Sequence, residues 1–233
     1  FGASPRIAGI GDWNRDGAPD VVVTNDQGTL SLLLGDGAGG FQQARLTSVG
    51  GFPSAACTGD WNRDGRTDLA VPNFGNNGVA FLLGDDDAGL RSVGVAPVGV
   101  APYLVLSQDL NLDGKPDLVA SGLPSSVQVF MNQSQPFRNL AFSSPLVLDA
   151  GQNTNGLAAA DLDRDGIPDL AVACGQGGPD GGLVNIFRGR GDGTFEPSTV
   201  IVVPRGAYTI AVADLDRNGF PDLVVPGYTS DTL

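Results

Sequence analysis

The sequence predicts an all-β fold, a propeller of four-stranded antiparallel blades without helices, and three observations carry that prediction. A nine-residue pattern, Asp-x-(Asp/Asn)-x-(Asp/Asn)-Gly-x-x-Asp, starts at Asp12, Asp60, Asp109, Asp161 and Asp214, recurring every 48 to 53 residues. A repeat of that period marks a propeller or an array rather than an ordinary globular domain. Short apolar, β-branched runs bounded by turn residues stand on both sides of the pattern, and such runs read as buried strands. Helical periodicity is absent throughout.

The elements follow in chain order. In the first repeat Val21-Val22-Val23 leaves the pattern, Thr29–Leu34 is strand-like, Gly35–Gly40 is a turn and Phe41–Val49 is strand-like again. The second repeat uses Leu69-Ala70-Val71 and then Val79–Leu83, entered by the turn signal Asn77-Gly78. The third enters through Leu104-Val105-Leu106 and continues with Leu118-Val119-Ala120, Val127–Met131 and a longer outer segment, Phe137–Leu148. The fourth has Leu170-Ala171-Val172, Leu183–Phe187, a turn at Gly189–Thr194 and Phe195–Val203. The fifth has Ala207–Ala213 and Leu223–Gly227. Pro5, Pro53 and Pro102 each stand seven residues before their first Asp, so the blade starts are in phase. Four strands in about 50 residues make one blade. The chain therefore reads as a single, partial propeller over 1–233, with blades near 1–49, 50–97, 98–149 and 150–204 and an incomplete fifth at 205–233.

The repeated pattern has the chemistry of a calcium loop. Hard Ca²⁺ takes several oxygen ligands, and alternate carboxylates with a Gly at the sharp turn wrap it from one short segment. In the first loop the side-chain oxygens come from Asp12, Asn14, Asp16 and Asp20, with Gly17 at the turn and the backbone carbonyl of Ala18 as fifth ligand. Loop two offers Asp60, Asn62, Asp64 and Asp68 with the carbonyl of Arg66; loop three offers Asp109, Asn111, Asp113 and Asp117 with that of Lys115. Loop four offers Asp161, Asp163, Asp165 and Asp169 with the carbonyl of Ile167; loop five offers Asp214, Asp216, Asn218 and Asp222 with that of Phe220. Five copies in phase argue against solvated acidic turns, and up to five Ca²⁺ are expected. Loop four carries four carboxylates where the others carry three and an Asn, so it is expected to bind tightest. An EF-hand needs Glu at position twelve and a following helix. Here position twelve is Val23, Val71, Ala120, Val172 or Val225, inside a strand.

These loops, together with the turns at Gly35–Phe41 and Gly191–Phe195, resemble the FG-GAP/VCBS-type repeat of integrin α-subunit propellers and of many bacterial extracellular proteins. Blade two departs from the turn motif with Gly84-Asp85-Asp86-Asp87, and blade three replaces it with Asn132–Pro136. The resemblance implies an extracellular or cell-surface location and a ring of about seven blades. The fifth blade lacks two outer strands, and only Phe1–Ser4 precede the first strand, so a closed ring is not expected. Either the chain continues, or a neighbouring subunit pairs with the open edge.

Composition agrees with a secreted, metal-loaded β protein. Of the 26 acidic residues only Glu196 is not Asp, and the formal charge is −13. Much of that acidity is ligand charge. The 13 basic residues form no cluster, which argues against nucleic acid. No apolar run approaches the ~20 residues of a membrane helix, so no membrane insertion is expected, and no secretory leader is apparent. Cys57 and Cys174 fall in different blades and read as buried thiols.

Histidine is absent, which removes the commonest general base and every Ser-His-Asp arrangement. Most carboxylates are committed to the loops, so no catalysis is expected. Asp85, Asp86 and Asp87 read as a solvated hairpin tip. Trp13 and Trp61, at position two of their loops, read as packing between blades, with sugar stacking as the alternative. Arg190-Gly191-Asp192 spells an integrin-recognised tripeptide but coincides with a turn the hairpin requires, and Asn132-Gln133-Ser134 is a glycosylation acceptor pattern. The expected function is an adhesion or ligand-binding module with a protein or glycan partner. The alternatives are a structural unit of an extracellular fibre or surface assembly, and a non-catalytic accessory propeller of a polysaccharide-active enzyme.

Overall fold

The computed structural model describes residues 5–85, 89–98, 101–122, 125–135, 140–175, 181–203 and 206–227. Asp86 and Asp87 lie outside these residues, as does part of the outer segment of the third repeat. Among the described residues there is no α-helix, and no helix is long and apolar enough to cross a membrane.

The strands are β1 Arg6–Gly11, β2 Asp20–Asn25, β3 Thr29–Leu33, β4 Arg45–Ser48, β5 Cys57–Gly59, β6 Asp68–Asn73, β7 Gly78–Gly84, β8 Leu90–Pro97 and β9 Pro102–Gln108. They continue as β10 Asp117–Gly122, β11 Ser126–Phe130, β12 Leu146–Asp149, β13 Thr154–Ala160, β14 Asp169–Cys174, β15 Gly182–Phe187, β16 Thr199–Val203, β17 Ala211–Ala213 and β18 Asp222–Val224. They form four four-stranded sheets, ordered β1-β2-β3-β4, β5-β6-β7-β8, β12-β11-β10-β9 and β13-β14-β15-β16, and a two-stranded sheet β17-β18. Every sheet is a meander in chain order, the blade of an all-β propeller. Among the described residues the one helical turn is a 3₁₀ turn, Phe74–Asn76, capped by the Asn73 side chain and ended by Asn77 at φ 50°.

Burial explains the sequence pattern. The second strands β6, β10 and β14 are buried at every position, which is why they read as continuous apolar runs rather than alternating ones. The outer strands β4 and β12 are mostly exposed and carry mixed residues. The first strands β1 and β13 carry a register shift at the same place, between Ile7 and Gly9 and between Thr154 and Gly156.

The chain divides into two compact units. The first comprises Phe1–Ser107 and Asn132–Phe142, the second Gln108–Met131 and Ser143–Leu233. In the first, Trp13, Val22, Leu30, Leu32, Leu34, Val49, Leu69, Val71, Ala80, Leu82 and Leu90 form one core between two sheets. In the second, Ala171, Ala173, Val184 and Ile186 pack with Ala207, Ile210 and Leu223, joining the fourth sheet to β17-β18.

The turns close alike despite different sequences. Bridges pair Gly35 with Phe41, Asn132 with Phe142 and Gly189 with Phe195. Blade two, which departs from the motif, retains the closure of blade one: Asp85 N–H donates to Gly89 O at 3.2 Å as Asp36 N–H does to Gly40 O at 3.1 Å.

Candidate metal centres

Each Asp-rich loop joins the first strand of a sheet to the second, and all five adopt one conformation. Position one anchors the turn. Asp12 accepts the N–H groups of Asp16 and Gly17, at 3.1 and 3.0 Å. Asp60 accepts those of Asp64 and Gly65, Asp109 those of Asp113 and Gly114, Asp161 those of Asp165 and Gly166, and Asp214 those of Asn218 and Gly219. The position-three oxygens of Asn14, Asn62, Asn111, Asp163 and Asp216 accept from the same position-five N–H. The position-five oxygens of Asp16, Asp64, Asp113, Asp165 and Asn218 accept from position seven, at 2.7 to 3.0 Å. That bond fixes the peptides of Ala18, Arg66, Lys115, Ile167 and Phe220, whose carbonyls are the expected fifth donors.

Position nine does more than offer a ligand. Asp20 takes Trp13 N–H on one oxygen at 2.7 Å and Gly35 N–H, from the end of the third strand, on the other at 2.8 Å. Asp68 does the same with Trp61 and Gly84, and Asp169 with Leu162 and Gly189. Asp117 and Asp222 bracket the loop through Leu110 and Leu215. Asp20, Asp68, Asp117 and Asp169 are buried. Gly35, Gly84 and Gly189 are required by close approach: a Cβ there would stand 2.2, 2.7 and 2.3 Å from the carbonyl oxygens of Pro19, Thr67 and Pro168. These glycines are functional neighbours of the loops that loop-pattern reasoning alone does not find.

The donors fit a hard divalent cation. They are all oxygens. In loop four one oxygen each of Asp161, Asp163 and Asp169, and in loop five one each of Asp214, Asp216 and Asp222, lie within 4.8 Å of one another. The position-six glycines Gly17, Gly65, Gly114, Gly166 and Gly219 have φ from 78° to 87°. Cationic side chains stand beside some of the same carboxylates: Arg66 on Asp64 at 3.3 Å, Lys115 on Asp113 at 3.0 Å, and Arg188 on Asp163. Arg188 thus offsets part of the extra negative charge of loop four.

Position four is also left-handed: Arg15, Arg63, Leu112, Arg164 and Arg217 have φ from 57° to 67°. A non-glycine residue there pays about 1–2 kcal/mol, and Asn tolerates the region best. Leu112 is 56 % exposed and gains little from packing. Leu112→Asn is therefore expected to raise stability by about 0.5–1 kcal/mol, read as a higher midpoint in urea; a lower midpoint contradicts the strain argument.

Burial pushes the Asp68 carboxyl up to about 7, against the N–H groups of Gly84 and Trp61, with Asp64 and Asp60 adding repulsion. Asp169 is raised for the same reasons. A carboxyl raised on folding contributes stability that is full below its unfolded pKa, near 4, and is lost as pH rises through the folded one. The metal-free protein therefore loses stability between about pH 4 and pH 7, where a bound cation has most to offset. Calcium should raise the melting temperature more at about pH 7.5 than at about pH 5.5. Equal increments at the two pH values would refute this.

The remaining motifs are placed by packing. Trp61 is fully buried, its ring 5.6 Å from Phe81 in an edge-on contact, and Trp13 is in the core, so neither is open for sugar stacking. Asn132 is 2 % exposed; its amide donates to Trp61 O at 3.0 Å and its carbonyl accepts Ser134 N–H. That acceptor pattern is buried rather than presented on a turn. Asp192 spends one oxygen on the N–H and hydroxyl of Thr194, at 2.9 and 2.6 Å, which also lowers its pKa. The Arg190-Gly191-Asp192 segment is thereby built into the hairpin. Cys57 and Cys174 are free thiols; Cys174 is buried as the sequence predicts, Cys57 is half-buried, and desolvation pushes the two up to about 11 and 12 respectively.

Comparison with known proteins follows the same repeats. Segments of this chain align with integrin subunits: alpha-IIb of Mus musculus is 38% identical over 108 residues, 40% of this chain, and alpha-IIb of Homo sapiens 35% identical over 113, 42% of this chain. Integrin alpha-V of Gallus gallus is 41% identical over 83 residues, 31% of this chain. The aligned parts span about a tenth of those subunits, 10%, 11% and 8% respectively. Among solved structures, that of BBS1N in complex with ARL6DN, soaked with mercury, superposes with a TM-score of 0.61 at 14% identity, covering 91% of this chain and 65% of that one, and shares the fold. The sequence pattern of the FG-GAP-like repeat matches residues 12–71, 109–172 and 172–225, so the loops and the strands that frame them are matched together and the chain belongs to the FG-GAP-like repeat family.

Proposed function

We propose that this chain is an extracellular, adhesion-type propeller module in which calcium is structural, with a protein or glycan as its partner. The five loops, built to one hydrogen-bonding plan within integrin-like repeats, carry the proposal. Side-chain oxygens at positions one, three, five and nine and the carbonyl at position seven would hold the ion. When bound, calcium neutralises the crowded carboxylates and ties the first two strands of a blade together. The ninth Asp, on its own part, locks the loop to the third strand in blades one, two and four. The blades near 1–49, 50–97, 98–149, 150–204 and 205–233 are units of one propeller in this reading. With the loops occupied by structural work and no histidine in the chain, the module recognises rather than transforms its partner.

Two measurements test this. Titration calorimetry with calcium on the whole chain should show saturable binding, and substitution of Asp60 or Asp161 by Ala should each remove one site. Absence of binding up to millimolar calcium overturns the calcium part. Panels of extracellular proteins and glycans, probed with the calcium-loaded chain, test the recognition part; turnover of any bound glycan would contradict a non-catalytic role.

A further inference from the structure

Position four supplies no ligand, yet four of the five loops carry arginine there: Arg15, Arg63, Arg164 and Arg217. Its left-handed backbone, at φ 58° for Arg15 and 67° for Arg164, is the same in each. In the first unit Arg15 Nη2 donates to the carbonyl of Gly65, which is position six of the next loop. A Cβ on Gly65 would lie 3.3 Å from that nitrogen, so the guanidinium lies against the glycine itself. In the second unit Arg164 makes the equivalent reach. Its Cζ stands 4.7 Å from the ring centroid of Phe220, position seven of the next loop, and a Cβ on Gly219 would lie 3.4 Å from its Nη1. Two separate pairs of consecutive loops thus bring a position-four guanidinium against the turn of the next loop, through a hydrogen bond to the position-six carbonyl in the first and over the position-seven ring in the second. Those positions hold the sharp turn and the peptide whose carbonyl, Arg66 or Phe220, is the expected backbone donor.

We propose that Arg15 and Arg164 are positioning residues that couple neighbouring calcium loops, so that filling one loop raises the affinity of the next. The proposal rests on the calcium reading above. A loop ordered by its ion holds its own position-four arginine in place, and the next loop then gains a pre-formed contact on its turn, a donor to the Gly65 carbonyl in loop two and a cation over Phe220 in loop five, without the full cost of ordering it. Coupling of this kind is reciprocal. Leu112 has the same backbone but no donor, so loop three has no such hold on loop four.

The test is a calcium titration of the whole chain read by hydrogen exchange of each loop's own peptide. Arg15→Met keeps the stem and removes the donor. It should move the midpoint of loop two to about three- to tenfold higher calcium, with loops three to five unmoved. Arg164→Met should do the same to loop five alone. Asp60→Ala, which empties loop two, should weaken loop one by a similar factor. A loop-two midpoint unchanged in Arg15→Met overturns the coupling and leaves the calcium reading intact. A shift of all five loops together also overturns it, since that marks general loss of stability. No calcium-dependent protection in any loop up to millimolar calcium overturns both.

Discussion

In excess chelator the melting temperature of this chain is expected to fall by about 15–25 °C, and added calcium should restore it. At about ten times its Kd a bound ligand adds about 1.4 kcal/mol. Five loops acting alike would supply about 7 kcal/mol, on the scale of a whole domain's stability. The geometry gives the reason. In loops four and five three carboxylate oxygens crowd within 4.8 Å, and the ninth Asp of four loops is buried. Without a cation this charge is answered by backbone N–H groups, the side-chain amides of Asn14, Asn62 and Asn218, and a few arginine or lysine side chains. Differential scanning calorimetry with and without chelator decides the matter. Superimposable curves would mean that the loops are self-sufficient Asx-type turns.

Trp61→Ala is expected to destabilise the chain by about 3–5 kcal/mol. Trp61 is 0 % exposed and sits edge-on to Phe81, which in turn stacks on Phe142 at 5.0 Å. Gly59 makes room for it: a Cβ there would come within 3.1 Å of the indole. The substitution therefore opens a cavity that surrounding strands cannot close. Trp61→Phe should cost much less, because an aromatic ring remains and the indole N–H that is lost has no partner among the described residues. Urea denaturation of both variants in saturating calcium measures the difference. A near-neutral Trp61→Ala would mean that the side chain serves a ligand rather than the core.

Much of the fold was legible because the repeat is written in residues with strong local rules. Gly at position six and alternating Asp or Asn define a turn, and apolar runs on either side define strands, of which those after the loop in blades two and four are buried at every position. Val79–Leu83 and Leu183–Phe187 were recognisable for that reason, and they lie within β7 and β15. The outer strands are shorter than the sequence predicts. Phe41–Val49 contains β4 only from Arg45 to Ser48, because an edge strand answers to one neighbour and its residues carry no burial signal. Blade two hid its turn behind three aspartates, while the closure from Asp85 to Gly89 is the ordinary one.

The sequence by itself determined the repeat, the all-β class and the candidate donor set, because each is a property of a nine-residue segment or of a period. Tertiary structure alone decided what lies beyond a single segment. It set the ninth Asp on a glycine at the far end of the third strand, and it buried Asn132 against Trp61, 71 residues away. It also laid Arg15 on Gly65, 50 residues on. Contacts between residues so far apart depend on how sheets stack, and stacking follows from the shapes of whole faces rather than from any local pattern.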